Sequence, residues 1–201
     1  MTTVRSILWV AVAVALAVFI WLNVWLDSGQ HAIDDSSNGP TSAVSPTFSL
    51  TDQLGNFVTE QAYRGEWLLV FFGFTNCPDI CPTTLAELAQ VMEGLGTNAE
   101  SVTPLFISID PSRDRPKTMA EYVIAFHSTI VGLTGTAAQI SAAVGSFKAY
   151  FEKRPLASVP DGYTMGHTSA VYLISPTGAF VRTYSYGTPA EEIVTDLQQR
   201  L

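Results

Sequence analysis

Ile7 to Leu26 is an apolar run of 20 residues broken only by Asn23. At about 1.5 Å per helical residue, such a run crosses a bilayer core of about 30 Å. Trp9 lies near one end and Trp21 and Trp25 at the other, where indoles favour the membrane interface. The run exceeds the roughly 7–15-residue core of a cleaved signal peptide, and no small-x-small site follows it. Arg5 ahead of it, with Asp27, Asp34 and Asp35 behind, predicts a cytoplasmic N-terminus and an outward-facing remainder. Residues 1–26 are thus expected to be a membrane anchor. Residues 27–46, rich in Gly, Ser, Asn, Pro and Asp without periodicity, read as a flexible tether. Residues 47–201 are long enough to bury a core as one globular domain.

Within that domain, patterns of period two and 3.6 alternate. Thr47 to Thr59 reads as a hairpin turning at Leu54-Gly55-Asn56-Phe57. Trp67 to Phe74 (WLLVFFGF) is apolar throughout, as suits a strand covered on both faces. Pro82 to Leu95 places Leu85, Leu88, Ala89 and Met92 at helical spacing and ends in glycines. Val102 to Ile109 is a second buried strand, and Pro116 to Phe126 a helix opened by proline. Ile130 to Leu133 reads as a short strand. Ala137 to Phe151 reads as a helix carrying Ile140, Val144, Phe147 and Phe151. Thr168 to Ile174 and Ala179 to Tyr184 form a closing hairpin around Ser175-Pro176-Thr177-Gly178, and Pro189 to Leu201 a last helix. A βαβ unit followed by an antiparallel hairpin and a helix predicts an α/β, thioredoxin-like fold with an N-terminal β-hairpin extension, preceded by a single transmembrane helix.

Composition narrows the partners. The chain has 10 Lys+Arg against 18 Asp+Glu, a formal charge of −8, so no basic surplus exists to neutralise a nucleic-acid backbone. Charged residues make up 14%, well below the ~25% of an ordinary soluble domain. The anchor explains the apolar excess but not the low charge. With two cysteines, neither a disulfide-rich framework nor a four-cysteine zinc site can be built.

Those cysteines, Cys77 and Cys81, lie in Thr75-Asn76-Cys77-Pro78-Asp79-Ile80-Cys81-Pro82, where the buried strand hands over to a helix. A helix N-terminus favours thiolate over thiol, and thiolate is the form that attacks disulfides and binds metals. At i and i+4 in one turn, the two sulfurs can converge on one point. A disulfide closing so short a loop would add only about 2 kcal/mol, a poor structural use of both cysteines. Thioredoxin-class dithiols are usually separated by two residues; three lie between these. That class also carries a cis-proline before its closing hairpin, where this chain has Met165-Gly166-His167-Thr168 and its nearest preceding proline is Pro160. His167 is expected to begin a strand antiparallel to the 67–74 strand, which sets it beside Cys77 at one sheet edge. Two thiolates and an imidazole suit copper, though zinc could use the same ligands plus water.

The strand Phe71-Phe72-Gly73-Phe74-Thr75, the cysteine segment, Ser108-Ile109-Asp110-Pro111 with Arg113-Asp114, and Gly166-His167-Thr168 together resemble the Sco/SenC family of membrane-anchored, thioredoxin-like copper proteins. The resemblance runs from the anchor to the last helix. It implies that Cys77, Cys81 and His167 bind copper, as Cu(I), Cu(II) or both. It also implies delivery of copper to the binuclear centre of cytochrome c oxidase, or reduction of that centre's cysteines. The copper-centre subunit of the oxidase and an upstream copper donor are the partners it implies, at the inner membrane with the domain on the periplasmic or extracytoplasmic side. Many family members carry Asp where this chain has Gly166. The alternative is a thiol-disulfide reductase or redox sensor using the same dithiol, and a peroxiredoxin-like peroxidase is disfavoured by the cysteine pairing.

Other residues admit plainer roles. His127 fits a helix-end cap, and His31 a solvated tether. Met165 can lend a soft sulfur but is better read as a core or loop residue, like Met92 on the apolar face of the first domain helix. Asp110 serves either the turn before Pro111 or support of the metal ligands. Asp79 and the Glu191-Glu192 pair complement helix dipoles.

Overall fold

The computed structural model describes Val18, Trp21, Val44 and residues 46–158 and 162–201. Apart from Val18 and Trp21, the predicted anchor and the tether up to Ala43 lie outside the described residues, as does His31. Among the described residues no helix is long and apolar enough to cross a membrane. Val44–Leu201 forms one compact unit.

Its strands are β1 (Ser49–Asp52), β2 (Phe57–Thr59), β3 (Trp67–Gly73), β4 (Val102–Ser108), β5 (Val131–Thr134), β6 (Phe151–Pro155), β7 (Tyr163–His167), β8 (Val171–Ile174) and β9 (Phe180–Tyr184). Its α-helices are α1 (Ile80–Leu95), α2 (Pro116–Ile124), α3 (Ala137–Ser146) and α4 (Ala190–Gln198). Seven strands form one mixed sheet in the order β2-β1-β5-β4-β3-β8-β9. β3, β4 and β5 run parallel, while β1 and β8 flank them antiparallel. β6 and β7 pair only with each other.

The central strands are apolar because both faces of the sheet are covered, and alternation sorts their side chains. Phe72 lies against Phe147 and Tyr172, with ring centroids 5.1 and 6.0 Å away. Phe71 faces the other way, stacking on Phe106, which contacts Tyr122 of α2. Phe71, Phe72 and Phe106 are fully buried. Each contributes roughly 1.5–3 kcal/mol of apolar burial. The first hairpin turns where expected, with the Asp52 carboxylate accepting from the Leu54 and Asn56 N–H groups and Gly55 at φ 90°.

Two expectations fail in the same stretch. The helix from Ala137 stops at Ser146, and Phe151 lies in a strand. The chain leaves the helix through Lys148 at φ 55°, so the apolar spacing of 147 and 151 continues a helical phase that the backbone has left. His167 likewise does not begin the strand beside β3. It ends β7, paired with Phe151, and the closing hairpin starts at Val171. β6 and β7 are therefore an insertion that the sequence reading did not anticipate.

Candidate metal centre

The site sits where the C-terminal end of β3 meets the start of β8, with β7 laid across it. Helix α1 begins at Ile80, two residues earlier than the spacing predicts. Cys81 is thus in its first turn, and Cys77 lies in the preceding loop rather than in the same helical turn. The sulfurs still converge, because the Cys81 N–H donates to Cys77 Sγ at 3.5 Å. The Cys77 N–H donates to the Phe74 carbonyl at 3.2 Å, closing the loop. Beneath it, the buried Asp114 carboxylate accepts from Thr75 N–H (3.0 Å), Thr75 Oγ1 (2.6 Å) and Ser108 Oγ (2.5 Å). Burial pushes the Asp114 carboxyl above its ordinary value, against the lowering effect of those donors.

Cys81 is wholly buried, its sulfur seated against the backbone of Gly73. A methyl group at Gly73 would lie 2.7 Å from Cys81 Sγ and 2.7 Å from Phe106 Cε2. The missing side chain is therefore the space for the sulfur. His167 Nε2 lies 3.7 Å from Cys81 Sγ, while Nδ1 stands 2.9 Å from the Thr168 carbonyl. That carbonyl can only accept, so Nδ1 carries the proton and Nε2 presents its lone pair to the sulfurs. Phe71 and Phe74 fix the ring edgewise, with centroids 5.9 and 6.0 Å away.

Sγ of Cys77, Sγ of Cys81 and a ring nitrogen of His167 all lie within 4.8 Å of one another, and no other such His/Cys/Asp/Glu cluster occurs among the described residues. Ligands held at roughly 2.0–2.3 Å from one metal in a trigonal set stand roughly 3.5–4 Å apart, so the cluster needs little movement to close on an ion. No disulfide joins the two cysteines. Hydrogen bonds, first from the Cys81 thiol and then from backbone N–H groups, pull Cys77 down to about 4 against desolvation. Donation to that thiolate, with burial, pushes the Cys81 thiol up. One sulfur is a ready thiolate; the other holds a proton until something replaces it.

Above the sulfurs is an open cavity of about 420 Å³ lined by Cys77, His167, Met165, Tyr150, Arg154 and Asp79, among others. Cys81 does not line it. Met165 is half-buried against the core, two residues along β7 from His167 and on the same strand face. Met92 is core, as expected. Asp79 is exposed at the N-cap of α1 and makes no side-chain cap bond. Gly166 has ordinary backbone geometry; a methyl there would meet the Arg154 guanidinium at 3.0 Å. His127 does not cap α2 through its ring, which is bonded to Thr129 in the following turn. Glu191 and Glu192 sit in the first turn of α4. Asp110 is neither a ligand nor a simple cap: its carboxylate accepts from Tyr163 Oη and from Arg113 Nε. Neither Tyr163 nor the space at Gly73 was found by sequence reasoning. A lone glycine amid bulky residues in WLLVFFGF was the available signal for the second.

Fold and site together define a thioredoxin-like protein with a two-sulfur, one-imidazole cluster at the end of its central strand. The SCO1/SenC family model matches residues 36–201, and the chain belongs to that family. It is 41% identical over 156 residues to the mitochondrial SCO2 homolog of Bos taurus, covering 77% of this chain and 58% of that one. The chain thus spans little more than half the length of that relative. The structure of copper-bound ScoI from Bradyrhizobium japonicum aligns with a TM-score of 0.73 at 40% identity, over 79% of this chain and 100% of that one. Copper-bound yeast Sco1 aligns with a TM-score of 0.72 at 34% identity, over 78% and 87%.

Proposed function

We propose that the protein is a copper metallochaperone in which Cys77, Cys81 and His167 hold the ion, and that it serves assembly of the binuclear copper centre of cytochrome c oxidase. The observation that carries this reading is the mutual approach, within 4.8 Å, of two sulfurs and a ring nitrogen drawn from two distant segments. That soft donor set suits Cu(I) and, with an added oxygen ligand, Cu(II). Copper-bound relatives of the same fold support the choice of metal. Copper is cargo, so the site must also release it. Cys77 and His167 border the open cavity, where a client's thiolate or imidazole can displace them one at a time, leaving buried Cys81 to be exchanged last.

Residues 1–26 would anchor the chain in the inner membrane with a cytoplasmic N-terminus, and residues 27–46 would tether domain 47–201 on the periplasmic or extracytoplasmic side. The copper-centre subunit of the oxidase would be the client, and an upstream protein the donor. The asymmetry between a half-exposed Cys77 thiolate and a buried Cys81 thiol supports a second reading, a thiol-disulfide reductase. In that chemistry Cys77 attacks a client disulfide and releases one client thiolate. Cys81, losing its proton, then attacks Cys77 Sγ; the second client sulfur leaves and the Cys77–Cys81 disulfide remains.

Copper titration of the full chain in detergent, beside Cys77→Ala, Cys81→Ala and His167→Ala, tests the first reading. One copper per chain and visible Cu(II)–thiolate absorption are expected. Copper binding by His167→Ala as tight as by the parent overturns it. The reductase reading expects turnover of a protein disulfide that is indifferent to His167→Ala, and fails if no such turnover occurs.

A further inference from the structure

His167 stands at the end of a strand that is not part of the main sheet. A two-stranded hairpin is marginal on its own, so something else must hold β6 and β7 over the sulfurs. At the His167 end, the Thr168 N–H donates to the Tyr150 carbonyl (3.0 Å) and the Tyr150 N–H to Thr168 Oγ1 (2.9 Å). The other end is held by different means. Tyr163, Met165 and His167 share one face of β7, at alternate positions. His167 reaches the sulfurs and Met165 the core. Tyr163, roughly 13 Å along the strand from His167, reaches the loop after β4. Its hydroxyl donates to Asp110, with the two carboxylate oxygens at 2.9 and 3.1 Å. Arg113 pairs with the same carboxylate, lies 3.9 Å from the Tyr163 ring centroid, and donates through Nη1 to the Tyr163 carbonyl at 3.4 Å. Asp110 is 4% exposed, so this contact is largely shielded from water.

The same short loop also grips the cysteine side. Asp114, four residues after Asp110, holds Thr75 two residues ahead of Cys77. Its N–H donates to the Asp110 carbonyl at 2.9 Å. One segment, 110–114, is therefore bonded both to the loop bearing the cysteines and to the hairpin bearing the imidazole. We propose that Asp110, Arg113 and Tyr163 form a latch that positions His167, setting how firmly the third ligand closes on the two sulfurs. This rests on the metal-site reading above. The latch residues touch no ligand atom and act through the hairpin.

The test is a double-mutant cycle in the full chain, Tyr163→Phe against His167→Ala, reading Cu(I) affinity by competition with a chelator. Tyr163→Phe keeps the ring and removes only the hydroxyl. Supporting residues of metal ligands are typically worth about 10–100-fold in affinity, and a loss near the lower end is expected here. In the His167→Ala background the same substitution should change affinity by less than about twofold, because the residue it positions is gone. Equal losses in both backgrounds, or no loss in the parent, overturn the proposal. Nitrogen hyperfine coupling in the Cu(II) spectrum should weaken in Tyr163→Phe, while the sulfur charge-transfer bands persist. Hydrogen exchange supplies a metal-free arm. Amides of β6 and β7 should exchange faster in Tyr163→Phe with β3 and β4 unchanged, and uniform or absent change overturns the latch. A parent that binds no copper, with this local loosening still seen in Tyr163→Phe, sinks the metal reading alone.

Discussion

Gly73→Ala tests how the buried sulfur is housed. Gly73 ends β3 with ordinary strand geometry, so nothing in the backbone demands glycine there. The added methyl would stand 2.7 Å from Cys81 Sγ, 2.7 Å from Phe106 Cε2 and 3.2 Å from Phe71 Cε1. Comfortable contact begins at about 3.5 Å, so the first two neighbours must retreat by roughly 0.8 Å. Both are fully buried and have nowhere open to go. Overpacking of this kind costs about 1–3 kcal/mol. At roughly 2–4 °C per kcal/mol for a chain of this size, the melting temperature should fall by about 2–12 °C. A sulfur displaced by that much also leaves the roughly 0.2 Å tolerance of a metal site, so copper affinity should fall by about 10–100-fold. Thermal melts and chelator competition measure the two effects. Gly145→Ala is the control: it lies exposed in α3 with nothing within 4 Å of the new methyl. It should stabilise by about 0.5–1 kcal/mol. A Gly73→Ala protein with parental melting temperature and parental copper affinity refutes the sulfur-pocket argument.

Alkylation of the metal-free protein should label Cys77 alone and stay fast at pH 5–6, where an ordinary thiol of pKa about 8.5 slows a hundredfold or more. Because folding lowers the Cys77 value to about 4, its contribution to stability is present in full above the unfolded thiol value and lost as pH falls through about 4. A labelling rate that follows an ordinary thiol titration, or equal labelling of both cysteines before unfolding, contradicts this. Asp114→Asn should destabilise by about 1–3 kcal/mol, since an amide cannot accept from Thr75 N–H, Thr75 Oγ1 and Ser108 Oγ as the carboxylate does, and a parental denaturant midpoint counts against it. Gly166→Asp should change stability by less than about 1 kcal/mol, because the flexible, solvent-exposed end of Arg154 both yields and pairs with the new carboxylate. A large loss in a thermal melt would mean that Gly166 is needed for its backbone.

The split between what was readable in the chain and what was not follows a physical line. Periodicity and punctuation are local, so WLLVFFG announced a strand covered on both faces, and Pro116 and Gly96 marked helix ends. The paired cysteines and the motif around His167 pointed to the three residues that converge in the fold, because those residue types at that spacing have few other uses. The β6–β7 pair had no such signature. Its Glu152-Lys153-Arg154 stretch is charged, with no period to betray a strand, and Phe151 kept a helical phase with Phe147 that a single positive φ at Lys148 broke. Register between segments far apart is a tertiary matter. It made His167 the end of an inserted hairpin rather than the start of the closing one, yet left it at the predicted sheet edge, because β8 runs antiparallel to β3 and begins beside its end. By itself the sequence singled out the three donor residues that the fold brings together. Only the folded chain decided that Gly73 leaves room for one sulfur, that the other faces an open cavity, and that Asp110 and Asp114 bind the two halves of the site to one loop, since each depends on atoms brought together across the sheet.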